Sequence, residues 1–391
     1  MKTTLFAKTC IAFLLAVFTV SLGQAQTFQT KAKQAIVMDF ESGSVLFQKN
    51  ADQAMPPASM AKLMTMEVVF DAIKRGQLDF ESTFTISQDV WRRGGANSGG
   101  STMFAKLNDD IRLEDLIRGV IVQSGNDAAM AIAEGMAGSE AGFAALMNSR
   151  ARKIGLENSS FTNATGLPDP EQRVTARDLA YLARHLISTY PDLYKIYSEP
   201  EFTWNKVRQR NRNPLLGKVD GADGLKTGYT EASGYGLVGS AVRDGRRVIM
   251  VMNGLSSVRE RSSEAVKMMR WASRAFQAVE LFEEGEIVGE ATLYGGARSG
   301  VPLKARGALK IFIPVGFRDR LKADIVFEGP IKAPVSQGDK VAKLQVLIDN
   351  KVTQETDLYA AEDVGQGTIT QRATDAMQEL IIGLFRFDTG E

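Results

Sequence analysis

Residues 56–62 read Pro56-Pro57-Ala58-Ser59-Met60-Ala61-Lys62, and the apolar residues that follow continue as a helix to Arg75, closed by Gly76. Ser59 falls in the first turn of that helix. Lys62 lies three residues on, and side chains at i and i+3 share one helical face. The spacing therefore predicts an amine beside a hydroxyl. A serine hydroxyl is a poor nucleophile until a base takes its proton. A lysine can be that base when burial and neighbouring cations make it neutral. The helix N-terminus adds a field that favours developing negative charge. The same seven residues also fit a capped helix with a surface lysine.

Two more short motifs follow. Ser124-Gly125-Asn126 falls between two helical patterns. Ser124 there could hydrogen-bond the lysine and relay a proton to a leaving group. Asn126 could hold both the lysine and a substrate amide. A turn and N-cap for the helix opening at Asp127 would use the same residues. Gly224-Leu225-Lys226-Thr227-Gly228-Tyr229 reads as a strand containing glycine, which often marks close approach of a ligand or another backbone. An extended ligand could pair with its edge, with Lys226 and Thr227 offering a charge and a hydroxyl to a carboxylate. A plain edge strand with a protective lysine is the other reading.

Outward from these motifs the pattern predicts an α+β fold. Ala35 to Asp39 and Ser44 to Lys49 form a hairpin around Glu41-Ser42-Gly43. Helices follow over Leu113 to Val122, Asp127 to Met136, Glu140 to Ile154 and Thr175 to Thr189, whereas Gly94 to Gly100 is a Gly/Asn/Ser-rich loop. Strands return at Tyr235 to Val242 and Arg246 to Asn253, flanking Asp244-Gly245, a type I′ hairpin signal. A long helix, Glu260 to Phe276, comes next. With strands at both ends and helices between, the economical packing is one antiparallel sheet joined by the two ends and covered by helices, with a helical subdomain to one side.

Composition shifts near Phe282. Beyond it lie short strand-like pieces at Leu309 to Pro314, Ala323 to Phe327 and Lys343 to Ile348, a small β-rich domain. In the last segment Ala373, Met377, Leu380, Ile381, Leu384 and Phe385 fall on one face of a helical wheel, and Asp375, Gln378, Glu379 and Arg386 on the other, an amphipathic helix. At the other end, Lys2 and Lys8 precede an apolar stretch to Leu22, and Gly23-Gln24-Ala25 supplies the small residues of a cleavage site. The expected organisation is a signal peptide over 1–25, a catalytic domain over 26–282, a β-rich domain over 283–370 and an amphipathic helix over 371–391.

Composition narrows the chemistry. Of 391 residues, 44% are apolar, enough for a large core. Formal net charge is +1, with no basic excess to suggest nucleic acid. One cysteine, Cys10, excludes an intrachain disulfide and would leave with the signal peptide, as suits an exported protein. The one histidine, His185, lies among Leu179, Leu182 and Leu186 on a helix and reads as structural.

Together, Ser59-x-x-Lys62, Ser124-x-Asn126 and Lys226-Thr227-Gly228 match the motif set of class A β-lactamases and penicillin-binding proteins. The chain resembles the D-alanyl-D-alanine carboxypeptidase family of low-molecular-mass penicillin-binding proteins, whose Ser-Gly-Asn variant it carries. The similarity extends to Thr175-Ala176-Arg177-Asp178, Asn211-Arg212-Asn213 and Pro330-Ile331-Lys332-Ala333-Pro334. The resemblance implies a β-lactamase/transpeptidase-like catalytic domain. It implies that Ser59 attacks the penultimate D-Ala of a peptidoglycan pentapeptide, with Lys62 as general base and Ser124 passing a proton to the departing D-Ala. It places the oxyanion between the backbone N–H groups of Ser59 and Tyr229. Asn126, Lys226, Thr227 and Gly228 would bind substrate, with Arg259 or Arg261 assisting at the carboxylate.

No cofactor and no metal are implied. β-Lactams would acylate Ser59 as substrate mimics. The C-terminal helix would hold the protein on the periplasmic face of the inner membrane. Two rivals are a β-lactamase, for which Glu157 lacks the Glu-x-x-Leu-Asn setting, and a non-catalytic scaffold, against which the three intact motifs weigh.

Overall fold

The computed structural model describes residues 28–315, 318–348 and 350–386. The expected signal peptide, Cys10 and residues 387–391 of the expected terminal helix lie outside these.

The N-terminal hairpin, β1 (Gln34–Asp39) and β2 (Val45–Lys49), joins three late strands, β3 (Ala222–Thr230), β4 (Gly234–Arg243) and β5 (Arg246–Leu255). The sheet runs β2-β1-β5-β4-β3, and every neighbouring pair is antiparallel. The β4–β5 turn places Asp244 and Gly245 at φ +51° and +74°, the type I′ geometry expected of Asp-Gly.

The two-residue strand period divides the interior. Ile36, Met38, Ile249 and Val251 face a core shared with helices α1 (Lys62–Lys74), α2 (Asn126–Ala137) and α3 (Ala176–Thr189). Ala35, Val37, Met250 and Met252 face the opposite core, closed by Ala265, Met268, Met269 and Ala272 of α4 (Val258–Ala272). The sheet is thus covered on both faces and β3 is left as a free edge. Helix α1 is buried from Lys62 through Phe70, so it forms an interior rod rather than a surface amphipath. Gly76, at φ +68°, terminates it.

Three expectations are corrected. The helix expected over Glu260 to Phe276 ends at Ala272, and Phe276 opens a strand to Phe282. That strand pairs with Leu309–Pro314, so the β-rich domain takes in residues on the catalytic side of the boundary drawn at Phe282. The helix expected over Leu113 to Val122 is α-helical only to Arg118, and a wider π turn, Gly119–Gln123, carries the chain to Ser124. Such turns change the direction of the side chains that follow.

The rest of the β-rich domain is a six-stranded sheet in the order 321–326, 340–348, 351–360, 300–304, 289–294, 331–332, with its own core around Leu303, Ile311, Leu344 and Leu358. A helix, Ile369–Arg386, follows. Its Asp375 carboxylate accepts from the Gly295 N–H at 2.8 Å. No helix among the described residues is long and apolar enough to cross a membrane.

Candidate active site

A single 3₁₀ turn, Ala58–Ala61, precedes α1 and presents Ser59 at its surface side, half-exposed, while Lys62 is fully buried. Ala58 takes φ +47°, an uncommon conformation for alanine and one concentrated at functional turns. Lys62 Nζ donates to Ser59 Oγ at 3.1 Å, Asn126 Oδ1 at 2.8 Å and the Thr165 carbonyl at 2.6 Å. Burial pushes the Lys62 amine down to about 7, with the nearby Arg212 cation helping. An amine at that value is half neutral near neutral pH, the state in which it can accept a proton.

The second motif reaches the amine through Asn126. Ser124 is buried, with φ +66°, at the break between the π turn and α2. Its hydroxyl is not among the three partners of Lys62. Asp127, absent from the sequence expectations as a site residue, secures this corner. Its buried carboxylate accepts from Thr102 Oγ1 at 2.6 Å and from the N–H groups of Met103 and Ala105 at 2.9 and 3.1 Å. The Asn126 N–H donates to the Ser101 carbonyl at 2.7 Å. The 101–105 loop is thereby tied beside the second motif.

The third motif is drawn in by glycine. A Cβ on Gly228 would sit 3.0 Å from the Pro57 carbonyl and 3.2 Å from Ala58 Cβ, so β3 packs directly on the turn that carries Ser59. Lys226 and Thr227 are buried just before this contact. The only hydrogen bond of Lys226 Nζ among the described residues is a long one, 3.3 Å, to the Thr227 carbonyl. Burial, Lys62, Arg212 and Arg261 all lower its pKa. Arg261 is buried, with its Nε lacking a hydrogen-bond partner, and its guanidinium stands 5.6 Å from the Tyr235 ring, which stacks on Tyr229 at 4.1 Å. Arg259 is exposed. Lys226, Arg212 and Arg261 thus bring three basic side chains near one another around the middle of β3.

Other contributions, besides Asp127, escaped the sequence reading. The Thr165 carbonyl binds the lysine. Gly166, at φ +82°, passes so close to Ala58 that a Cβ would overlap its carbonyl oxygen at 1.8 Å. Asn163 Oδ1 fixes this loop by accepting from the Gly166 N–H at 2.8 Å and Thr165 Oγ1 at 2.9 Å. The one signal was Asn163-Ala164-Thr165-Gly166, a turn-forming sequence without a chemical motif. Arg212, quoted in the sequence only within Asn211-Arg212-Asn213 and given no role there, donates to Ser101 Oγ at 2.6 Å. His185 lies elsewhere, 3.2 Å from Glu67 Oε1, and Glu157 is exposed.

At the far end of β3, Thr230 opens into a groove walled by Met55, Pro57, Leu167 and Pro170 and edged by Arg173. The strand therefore passes from basic side chains near its middle to an apolar groove.

A family model described as D-alanyl-D-alanine carboxypeptidase matches residues 21–256, and one described as the C-terminal domain of penicillin-binding protein 5 matches 276–366. D-alanyl-D-alanine carboxypeptidase DacA of Haemophilus influenzae is 37% identical over 389 residues, covering 96% of this chain and 98% of the relative. The crystal structure of penicillin binding protein 5 from the same organism superposes with TM-score 0.76 at 38% identity, over 87% of this chain and 99% of that one. Penicillin-binding protein D2 of Listeria monocytogenes, solved in an ampicillin-bound form, gives TM-score 0.57 at 31% identity, over 63% of this chain and 99% of that one.

Proposed function

We propose a residue-level mechanism on one premise: the chain belongs to the D-alanyl-D-alanine carboxypeptidase family and is a serine D-Ala-D-Ala carboxypeptidase. Ser59 Oγ attacks the carbonyl of the penultimate D-Ala of a peptidoglycan stem as neutral Lys62 takes its proton. The oxyanion forms between the backbone N–H groups of Ser59 and Tyr229, two donors at the strand–turn contact made by Gly228. Ser124 passes a proton to the leaving amine, terminal D-Ala departs, and water hydrolyses the ester on Ser59.

The substrate lies antiparallel to β3. Its terminal carboxylate meets Lys226 and Thr227, with Arg261 rather than Arg259 in support, and Asn126 holds its amide. β-Lactams acylate Ser59 by the same route. The observation that carries this reading is the 3.1 Å contact between Ser59 Oγ and a fully buried amine whose pKa is about 7.

We further propose that residues 1–25 direct export and are removed, and that the enzyme works in the periplasm. The helix from Ile369 rests peripherally on the inner membrane, with the β-rich domain as spacer. The test of the activity is mass analysis of a pentapeptide stem after incubation. Loss of one D-Ala, abolished in Ser59→Ala, is expected. An unchanged pentapeptide would overturn the reading.

A further inference from the structure

Helix α4 and the 212–218 loop enclose a groove of about 860 Å³. Arg212, Lys218, Arg259, Arg261, Lys267 and Arg270 line it, and among the described residues no aspartate or glutamate does. In a chain of formal net charge +1 this is a segregation of charge. Little offsets it locally. Lys218 donates to Ser262 Oγ at 3.0 Å and Arg270 to the Lys218 carbonyl at 3.2 Å, both neutral acceptors. Lys267 donates to the Gln29 carbonyl at 2.7 Å and stands 3.8 Å from Glu264 Oε1. The other Glu264 oxygen accepts from the Thr30 hydroxyl at 2.7 Å. Glu260 turns away to Lys31 and Ser256. Arg261 is buried, and its Nε lacks a hydrogen-bond partner.

The lining specifies a ligand class. A groove of this size suits a small molecule rather than a protein segment. Four of its six cations are arginines, whose planar forks match the paired oxygens of a phosphate group. Ser262 and Ser263 add hydroxyls to the same wall. A single carboxylate would engage one or two of these cations and leave the rest repelling one another. A short chain of phosphate groups brings several negative charges close together and meets them all. The groove also communicates with the base. Arg212 acts electrostatically on Lys62, and Arg212 and Arg261 both act on Lys226. Lys62 faces the Asp127 and Glu140 carboxylates as well, which oppose Arg212, and Lys226 faces Lys62 itself. An anion on Arg212 offsets its positive charge, favours the protonated form of Lys62 and so removes base.

We propose that this groove is a binding site for a compact oligophosphate, and that its occupation slows acylation of Ser59 at neutral and acid pH. The effect on acylation rests on the reading of Lys62 as base given above. Lys218 and Arg270 attract and hold the ligand apart from the reacting atoms, and Arg212 carries the effect of its charge to the lysine. The site is thus a regulatory one, separate from the place where the substrate is cut.

The test uses the full chain, with inorganic tripolyphosphate as the probe. Titration calorimetry at low salt is expected to show binding that weakens as salt rises. In the double variant Lys218→Glu, Arg270→Glu the dissociation constant is expected to rise about tenfold. Acylation of that variant by penicillin without probe holds steady, and Lys218→Arg, Arg270→Lys retains binding. With the unaltered protein saturated, the acid limb of the pH–rate profile for penicillin acylation is expected to move up by about half a pH unit, while the alkaline plateau stays in place. Vesicles containing phosphatidylglycerol are expected to bind the unaltered and charge-reversed proteins equally. Absence of tripolyphosphate binding, equal binding by the charge-reversed variant, or an unmoved acid limb overturns the inference alone. A plateau that falls and recovers with more penicillin puts the probe at Lys226 and also overturns it. So does loss of vesicle binding confined to the charge-reversed variant, which would make the groove a lipid contact. A protein that penicillin fails to acylate at any pH removes the underlying reading as well.

Discussion

The Thr165 carbonyl accepts from Lys62 Nζ at 2.6 Å, closer to the amine than either Asn126 Oδ1 or Ser59 Oγ. Backbone from the 163–167 loop thus fixes where the base points, and Thr65 Oγ1 reinforces it by donating to the Ala164 carbonyl at 2.7 Å.

Gly166→Ala is expected to disturb that loop. The added methyl would overlap the Ala58 carbonyl, and φ +82° disfavours any side chain. We expect a loss of about 1–3 kcal/mol in unfolding free energy and slower penicillin acylation. Gly155→Ala is the control, because φ there is +79° but the space is open. It should lower stability by less and leave acylation intact. Denaturant unfolding and stopped-flow acylation check both.

The acylation rate should track the neutral form of Lys62. With its pKa near 7, protonation below that value removes the base, so the rate falls about tenfold for each pH unit on the acid side. Arg212→Gln takes away a positive charge that holds this pKa down. The Lys62 pKa should rise, and the acid limb of the pH–rate profile should move to higher pH. A limb that stays in place would mean Arg212 does not act on the lysine.

Asp127→Ala should release the 101–105 loop. It strands the Thr102 hydroxyl and the N–H groups of Met103 and Ala105, which now bond a buried carboxylate. A loss of about 3 kcal/mol is expected by denaturant titration, with a slower acylation rate at saturating stability. A variant as stable as the parent would show that the loop finds other acceptors.

Deleting the segment from Ile369 onward should move the protein from membrane pellets to the supernatant. Full-length protein already in the supernatant at low and high salt would contradict the proposed membrane contact. Sequence residues 371–391 carry Arg372 and Arg386 against Asp375, Glu379, Asp388 and Glu391, so apolar area rather than attraction to anionic lipid must drive that contact.

Much of the sheet was legible because its strands announce themselves locally. Asp244-Gly245 dictates a hairpin, and the unbroken apolar run Ala35-Ile36-Val37-Met38 serves a sheet buried on both faces. The lysine–serine spacing was legible because a helical turn fixes it. The end of α4 was not: Phe276 continues an apolar pattern equally compatible with helix or strand, and pairing with Pro314 decides it. Thr165 was hidden for another reason. It contributes a carbonyl, and backbone acceptors have no residue signature. Arg212 and Arg261 stand far apart in sequence and gain meaning only where the fold places them around Lys226.

The most direct measurement of the central claim is peptide mapping by mass spectrometry after brief exposure to penicillin at pH 5 and pH 8. We predict a penicilloyl adduct confined to Ser59, formed about a hundredfold more slowly at pH 5, and absent from Ser59→Ala. An adduct on any other residue, or one that forms equally fast at both pH values, would contradict a serine primed by a neutral Lys62.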